Sequence, residues 1–240
     1  MRAEILGVNV DRLTMAETVE RISQAVKGRS RIRVVTANPE VIYAAGRNAE
    51  LKKLINSADI VTADGVGVVW AARRLGVPVA ERVTGIDLLC ALFPVAQAGK
   101  WRIFFLGGKP GVAEEAALRV CRDYGEITWA ARHGYFSPEE ERSVIAQIEG
   151  FQPDILLAGL GSPRQEYWLE EHSGLATVCI GVGGSFDVLA GMVLRAPENM
   201  RALHLEWLYR LWQEPRRWKR QIVLPVYVLK VFWQSLRRKA

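Results

Sequence analysis

The sequence predicts an α/β fold: a mostly parallel, Rossmann-like sheet with helices on both faces, followed by a basic helical C-terminal appendage that docks on a membrane. Three observations carry this expectation. Short apolar runs of strand length recur between longer amphipathic stretches. Several of these runs are rich in Val, Ile, Leu and Phe without alternation, as strands covered on both faces require. Glycines and short polar residues follow run after run, at the edge where open α/β sheets bind their ligands.

The start, Met1-Arg2-Ala3-Glu4-Ile5-Leu6-Gly7, shows no long apolar stretch leading to a small-residue cleavage site, so a cytoplasmic location is expected. A helix is predicted from Met15 to Lys27 and a strand from Ile32 to Thr36, which runs into Thr36-Ala37-Asn38-Pro39-Glu40. One helix is predicted from Glu40 to Ser57, then a strand from Ile60 to Thr62 ending in Ala63-Asp64-Gly65-Val66-Gly67. Helices follow from Val66 to Leu75 and from Ile86 to Ala98, and a strand from Ile103 to Gly107 opens the cluster Gly107-Gly108-Lys109-Pro110-Gly111. Further helices are expected from Val112 to Asp123 and from Pro138 to Glu149. The strand from Ile155 to Leu160 leads into Gly161-Ser162-Pro163-Arg164-Gln165-Glu166 and a helix from Gln165 to His172. The last strand, Thr177 to Val182, opens Gly183-Gly184-Ser185-Phe186-Asp187. Strands alternating with helices in this way call for crossover connections and a parallel sheet.

With 240 residues and 50% hydrophobic content the chain can bury one sizeable core, which excludes a disordered class. The net charge of +6 is unevenly placed. Residues 201–240 hold ten Lys/Arg against Glu206 and Glu214, net +8, together with four of the eight tryptophans; the first 200 residues are net −2. This divides the chain into a core, 1–200, and an appendage, 201–240. The apolar stretch Ile222 to Trp233 is interrupted by Pro225 and Lys230 and falls short of the roughly 20 residues a bilayer span needs. With its aromatic and basic neighbours it suits a helix lying on the membrane surface. A packed C-terminal helix with a solvated basic face is the plainer alternative, and a nucleic-acid surface a further one.

Cys90, Cys121 and Cys179 lie far apart in apolar surroundings and are expected to be structural. His133, His172 and His204 have no spacing for a metal or a Ser/His/Asp arrangement, and without an Asp-x-Asp pair no metal and no cofactor are expected. The glycine clusters lack the phosphate-loop spacing and the full dinucleotide fingerprint, which disfavours a kinase or a dehydrogenase. Asp64 fits either a helix cap or a general base, and spacing alone favours the cap. Thr36 and Asn38, before Pro39, fit a turn as well as a ligand contact. Asp187 suits a ribose hydroxyl or the local backbone.

Eight segments in order, Thr36-Ala37-Asn38-Pro39-Glu40, Ala63-Asp64-Gly65-Val66-Gly67, Arg82-Val83-Thr84-Gly85-Ile86-Asp87, His133-Gly134-Tyr135-Phe136, Gly161-Ser162-Pro163-Arg164-Gln165-Glu166, Gly183-Gly184-Ser185-Phe186-Asp187, Arg195-Ala196-Pro197 and Glu206-Trp207-Leu208-Tyr209-Arg210, resemble the TagA/WecG/CpsF family, glycosyltransferase family 26. The resemblance implies an inverting, metal-independent transfer of N-acetylmannosamine from its UDP donor to N-acetylglucosaminyl-diphospho-undecaprenol, in teichoic acid or related surface-polymer synthesis. It makes Asp64 the general base. It assigns Thr36 and Asn38 to the sugar or diphosphate, Arg82 and Gln165 to the pocket wall, and Asp187 and Tyr135 to the nucleoside. It gives Arg216, Arg217 and Arg220 the task of neutralising the leaving UDP.

The implied partners are a UDP-sugar, a polyprenyl-diphosphate-linked sugar and the inner face of the cytoplasmic membrane. No nucleic acid is expected, and homo-oligomers remain open. Two other classes compete: a basic nucleic-acid-binding module, which leaves the polar pocket residues without a task, and a Rossmann-type oxidoreductase, which the incomplete fingerprint disfavours. Within the family, a uronate or glucose donor is the alternative to N-acetylmannosamine. Glu198, after Arg195-Ala196-Pro197, departs from the bulky residue expected there.

Overall fold

The computed structural model describes residues 2–202, 205–215 and 218–238. The chain opens with a hairpin, β1 (Ala3–Ile5) and β2 (Val8–Val10), paired antiparallel. Its two-residue turn places Leu6 and Gly7 at φ of 50° and 85°, the doubly left-handed turn that suits the twist of a hairpin. The hairpin was not foreseen, because each strand is three residues long and leucine gives no sign of a left-handed turn.

Helix α1 (Met15–Gly28) begins at a capping box in which Thr14 and Glu17 satisfy each other's backbone N–H groups. Strand β3 (Ile32–Ala37) follows. The single helix expected from Glu40 to Ser57 is two, α2 (Pro39–Ala45) and α3 (Ala49–Asn56). The break lies at Gly46-Arg47-Asn48, where the Asn48 side chain accepts the Leu51 N–H and starts a new helix. Next come β4 (Ile60–Ala63), α4 (Val66–Arg74) and α5 (Gly85–Gly99), the last capped by Thr84. They are followed by β5 (Arg102–Gly107), α6 (Val112–Tyr124), β6 (Thr128–Arg132) and α7 (Pro138–Phe151). Strand β7 (Ile155–Gly159), α8 (Arg164–Glu171), β8 (Val178–Gly181) and α9 (Ser185–Leu189) complete the sheet region. The end of the chain carries α10 (Glu198–Ala202), α11 (Glu206–Gln213), α12 (Trp218–Gln221) and α13 (Val223–Arg237).

The six longer strands form one sheet in the order β4-β3-β8-β7-β5-β6, and every pair is parallel. This is the expected architecture, although the order is not that of the dinucleotide-binding fold. Residues of one strand serve opposite faces. Val34, Phe105, Leu157 and Ile180 pack with α1, α5 and α6, whereas Val35 and Val61 pack with α2, α3 and α4. Phe104 and Leu156 pack with α7 and α8 on that second side. Burial on both sides is why these strands read as continuous apolar runs.

Helix α13 lies against α2 and α4 and sends Tyr227 and Val231 into the core beside Val41 and Val68. Tyr227 is only 1% exposed, and burial pushes its hydroxyl pKa up. Further along, Gln234 accepts the Leu6 N–H at 2.9 Å, tying the two ends of the chain together. The other face of α13, with Leu229, Phe232, Trp233 and Leu236, is exposed. Cys90 and Cys121 are half-buried and Cys179 is buried, all as free thiols.

Candidate active site

The carboxyl ends of β3, β4, β7 and β8 and the terminal helices enclose a pocket of about 590 Å³. Thr36, Asn38, Asp64, Arg82 and Gln165 all line it, so the fold brings together five of the seven residues expected to act on substrate. The other two lie apart from its lining. Tyr135 follows the edge strand β6 and is 67% exposed. Asp187 sits in the first turn of α9, just beyond Gly183, Gly184 and Ser185, which do line the pocket. Arg216 and Arg217 lie outside the described residues, as does the side chain of Arg220.

Asp64 is held at the end of the β3–β4 ladder by its own N–H, which donates to Ala37 O at 3.0 Å. It is not the cap of α4. Gly65 takes that position at φ 106° without a side-chain hydrogen bond, and the Asp64 carboxylate instead accepts the Gly85 N–H at the start of α5, at 3.4 Å. The starts of α4 and α5 therefore both adjoin Asp64. Gly67 has a steric reason to be glycine: a Cβ there would stand 2.8 Å from Pro39 Cγ. That close approach draws the β3–α2 and β4–α4 turns into one wall.

Asn38 caps α2, its Oδ1 accepting the Val41 N–H at 2.9 Å. Thr36 is buried and its hydroxyl donates to Gly181 O at 2.9 Å, which pins the end of β3 to the end of β8. Gln165 is 3% exposed. Its Oε1 accepts the Gly183 N–H at 3.1 Å, while its Nε2 donates to Glu166 Oε1 at 3.0 Å. The amide thus fixes the β8–α9 turn from below. Burial pushes the Glu166 carboxyl up, against the lowering effect of its hydrogen bonds.

Three of the quoted segments meet in an ionic cluster that sequence reading did not assemble. Arg82 donates to Glu206 Oε2 at 3.4 Å and stands 3.8 Å from Asp87. Asp87 in turn pairs with Arg195 and accepts from the Thr84 hydroxyl at 2.6 Å. Burial alone would push the Asp87 carboxyl up, but Thr84, Arg195 and Arg82 outweigh it and hold the group below the usual carboxylate value. Arg195 and Glu206 were each inside a recognised segment, the only signal the sequence offered for them. Among the described residues no group of three or more His, Cys, Asp or Glu could hold a metal ion.

A sequence model described as the glycosyl transferase WecG/TagA/CpsF family matches residues 3–240. Among curated proteins, the N-acetylglucosaminyldiphosphoundecaprenol N-acetyl-beta-D-mannosaminyltransferases of Staphylococcus aureus strains MW2 and NCTC 8325 / PS 47 are each 37% identical over 234 residues. The alignment covers 96% of this chain and 92% of either relative. With the match running from β1 to the end of the chain, the protein belongs to the WecG/TagA/CpsF family and is a glycosyltransferase.

Proposed function

We propose that the protein transfers N-acetylmannosamine from UDP-N-acetylmannosamine to the 4-hydroxyl of N-acetylglucosaminyl-diphospho-undecaprenol, forming a β-1,4 bond with inversion and without a metal. The observation that carries this reading is the convergence of Asp64, Thr36, Asn38, Arg82 and Gln165 on one pocket, in a chain 37% identical to transferases of that name.

An inverting displacement needs a base on the acceptor side; of the carboxylates lining the pocket, Glu40, Asp64 and Glu206, the last is paired with Arg82, and the family resemblance gives the role of base to Asp64. It takes the proton of the acceptor hydroxyl as that oxygen attacks the anomeric carbon, and the bond to UDP breaks. Asn38, whose Oδ1 is used in the cap, has its amide hydrogens for the donor sugar or diphosphate. Thr36, whose hydroxyl hydrogen is used on Gly181 O, keeps its oxygen to accept from a hydroxyl of the donor sugar, and Arg82 and Gln165 line the pocket. Tyr135 and Asp187 would hold the nucleoside, on the side of the pocket toward α9 and the β6 end. Arg216, Arg217 and Arg220 would neutralise the leaving diphosphate, as guanidinium groups do well.

Residues 1–200 thus act as the catalytic core, and residues 201–240 as the segment that completes the pocket at the inner face of the cytoplasmic membrane. Among the described residues no helix is long and apolar enough to cross a membrane. Trp212, Leu229, Trp233 and Leu236 are exposed beside a basic stretch, which supports attachment at the lipid surface.

The test is UDP release and glycolipid formation by the purified protein with UDP-N-acetylmannosamine and a solubilised N-acetylglucosaminyl-diphospho-lipid, in EDTA, for wild type and Asp64→Asn. Product from the wild type and a loss of about 100-fold or more in the variant supports the reading. Turnover only with the uronate or glucose donor would replace the donor. Absence of UDP binding would refute the reading as a whole.

A further inference from the structure

Helices α11, α12 and α13 enclose a second cavity, of about 450 Å³. Its lining includes Trp207, Leu211, Trp218, Ile222, Leu224 and Val228, with Gln221 as the one polar side chain among the described residues. Four of its residues, Trp207, Gln221, Leu224 and Val228, also line the pocket of Asp64. The two cavities adjoin across these four residues, which sets an apolar groove directly beside the pocket that holds the carboxylate. Trp207 and Leu211 lie one turn apart on α11 and so face the groove together. Trp218 and Ile222 stay exposed at its rim, an apolar surface that nothing in this chain covers among the described residues.

An amphiphile fits that sequence of surfaces. A sugar placed against Asp64 must lead its diphosphate, and then its hydrocarbon, out of the polar pocket, and the wall shared at Leu224 and Val228 is where the hydrocarbon first meets apolar side chains. We propose that this groove is a subsite for the first isoprene units of the lipid-linked acceptor, an inference that rests on the acceptor reading given above. On this account the protein reads the lipid directly, and does not depend only on the membrane to concentrate it. Apolar burial scales with hydrocarbon length, so affinity rises with each isoprene unit until the groove is full and then levels off.

The experiment uses the full chain with UDP-N-acetylmannosamine in buffer free of detergent and vesicles. The acceptors are N-acetylglucosaminyl diphosphate esters of methanol and of alcohols with one, two or three isoprene units, each below its aggregation concentration. The undecaprenyl acceptor in vesicles serves as the control for turnover. The expected result is a KM that falls at least about tenfold from the methyl to the two-isoprene ester while kcat stays within about threefold. Ile222→Asp, at a position 60% exposed and so tolerated by the fold, should bring the ratio of those two KM values close to one. A KM that ignores chain length in solution, with turnover on the vesicle control, overturns the groove and leaves the acceptor reading standing. That outcome accompanied by concentration-dependent self-association would assign the groove to a second copy of the chain. Failure on the vesicle control as well, with the uronate and glucose donors as with UDP-N-acetylmannosamine, would remove the acceptor reading, and the groove with it.

Discussion

Arg82 Nη1 stands 3.4 Å from Glu206 Oε2, which joins the segment before α5 to the first turn of α11 across 124 positions of sequence. Both side chains are largely buried and both line the pocket. Through Arg82 the terminal helices are registered on the core, and through Asp87 the same guanidinium is coupled to Arg195. Removing one partner weakens the compensation of a partly buried charge, which costs more than the pair contributes. Glu206→Ala should therefore lower kcat/KM about tenfold or more. A double-mutant cycle with Arg82→Ala should give a coupling of about 1 kcal/mol or more, and strict additivity would show that the pair does not act as a unit.

Asp64→Asn keeps the size of the side chain and its ability to accept the Gly85 N–H, but cannot take a proton. We expect kcat to fall by about 100-fold or more, with UDP affinity unchanged in a calorimetric titration. A variant retaining more than a tenth of the wild-type rate would assign the base to another group.

Tyr227 anchors α13 in the core through its ring. Tyr227→Ala should destabilise the protein by about 3–5 kcal/mol in urea unfolding, as large-to-small aromatic substitutions do. Its hydroxyl donates to Gly67 O at a long 3.4 Å, so Tyr227→Phe should cost only about 1 kcal/mol. Equal losses in the two variants would show that the hydrogen bond, not the ring, holds the helix.

Asp87 gives the cluster an acid limit. Its folded-state carboxyl sits below the ordinary value, so it stays charged where the unfolded chain already binds a proton. Its contribution is complete above the unfolded pKa, about 3.9 for aspartate, and is lost as pH falls through the lower folded value. Urea unfolding of wild type and Asp87→Asn should differ most near pH 6, and the difference should shrink below about pH 4. A constant difference across that range would mean that packing, not charge, explains the loss.

Leu229 and Trp233 are one turn apart on the outer face of α13 and make no part of the core. Leu229→Asp combined with Trp233→Asp should weaken sedimentation with anionic vesicles about tenfold or more, with the unfolding midpoint unchanged. Undiminished binding would move the membrane contact elsewhere in the tail.

The sequence by itself determined the layered fold. The apolar runs of β3, β5, β7 and β8 could be read because a strand covered on both faces is apolar at successive positions, a local pattern. The helix starts at Met15 and Pro138 were legible as well, and the structure shows Thr14 and Ser137 capping them. The hairpin β1–β2 and the edge strand β6, whose residues are half-buried or exposed, carry no such pattern and were missed. The motifs named Thr36, Asn38, Asp64, Arg82 and Gln165, but as separate stretches.

Only the tertiary structure decided that these five share a pocket while Tyr135 and Asp187 stand outside its lining. It also decided that Asp64 faces Gly85 and does not cap α4, and that Glu206 closes on Arg82. The tail shows the division most plainly. Its charge and tryptophans were legible, yet the burial of Tyr227 and Val231 against α2 and α4 was not. A residue's neighbours along the chain set its local conformation, whereas a pocket, an ion pair or a buried face is made by groups more than a hundred positions apart, whose meeting depends on the order in which the strands assemble.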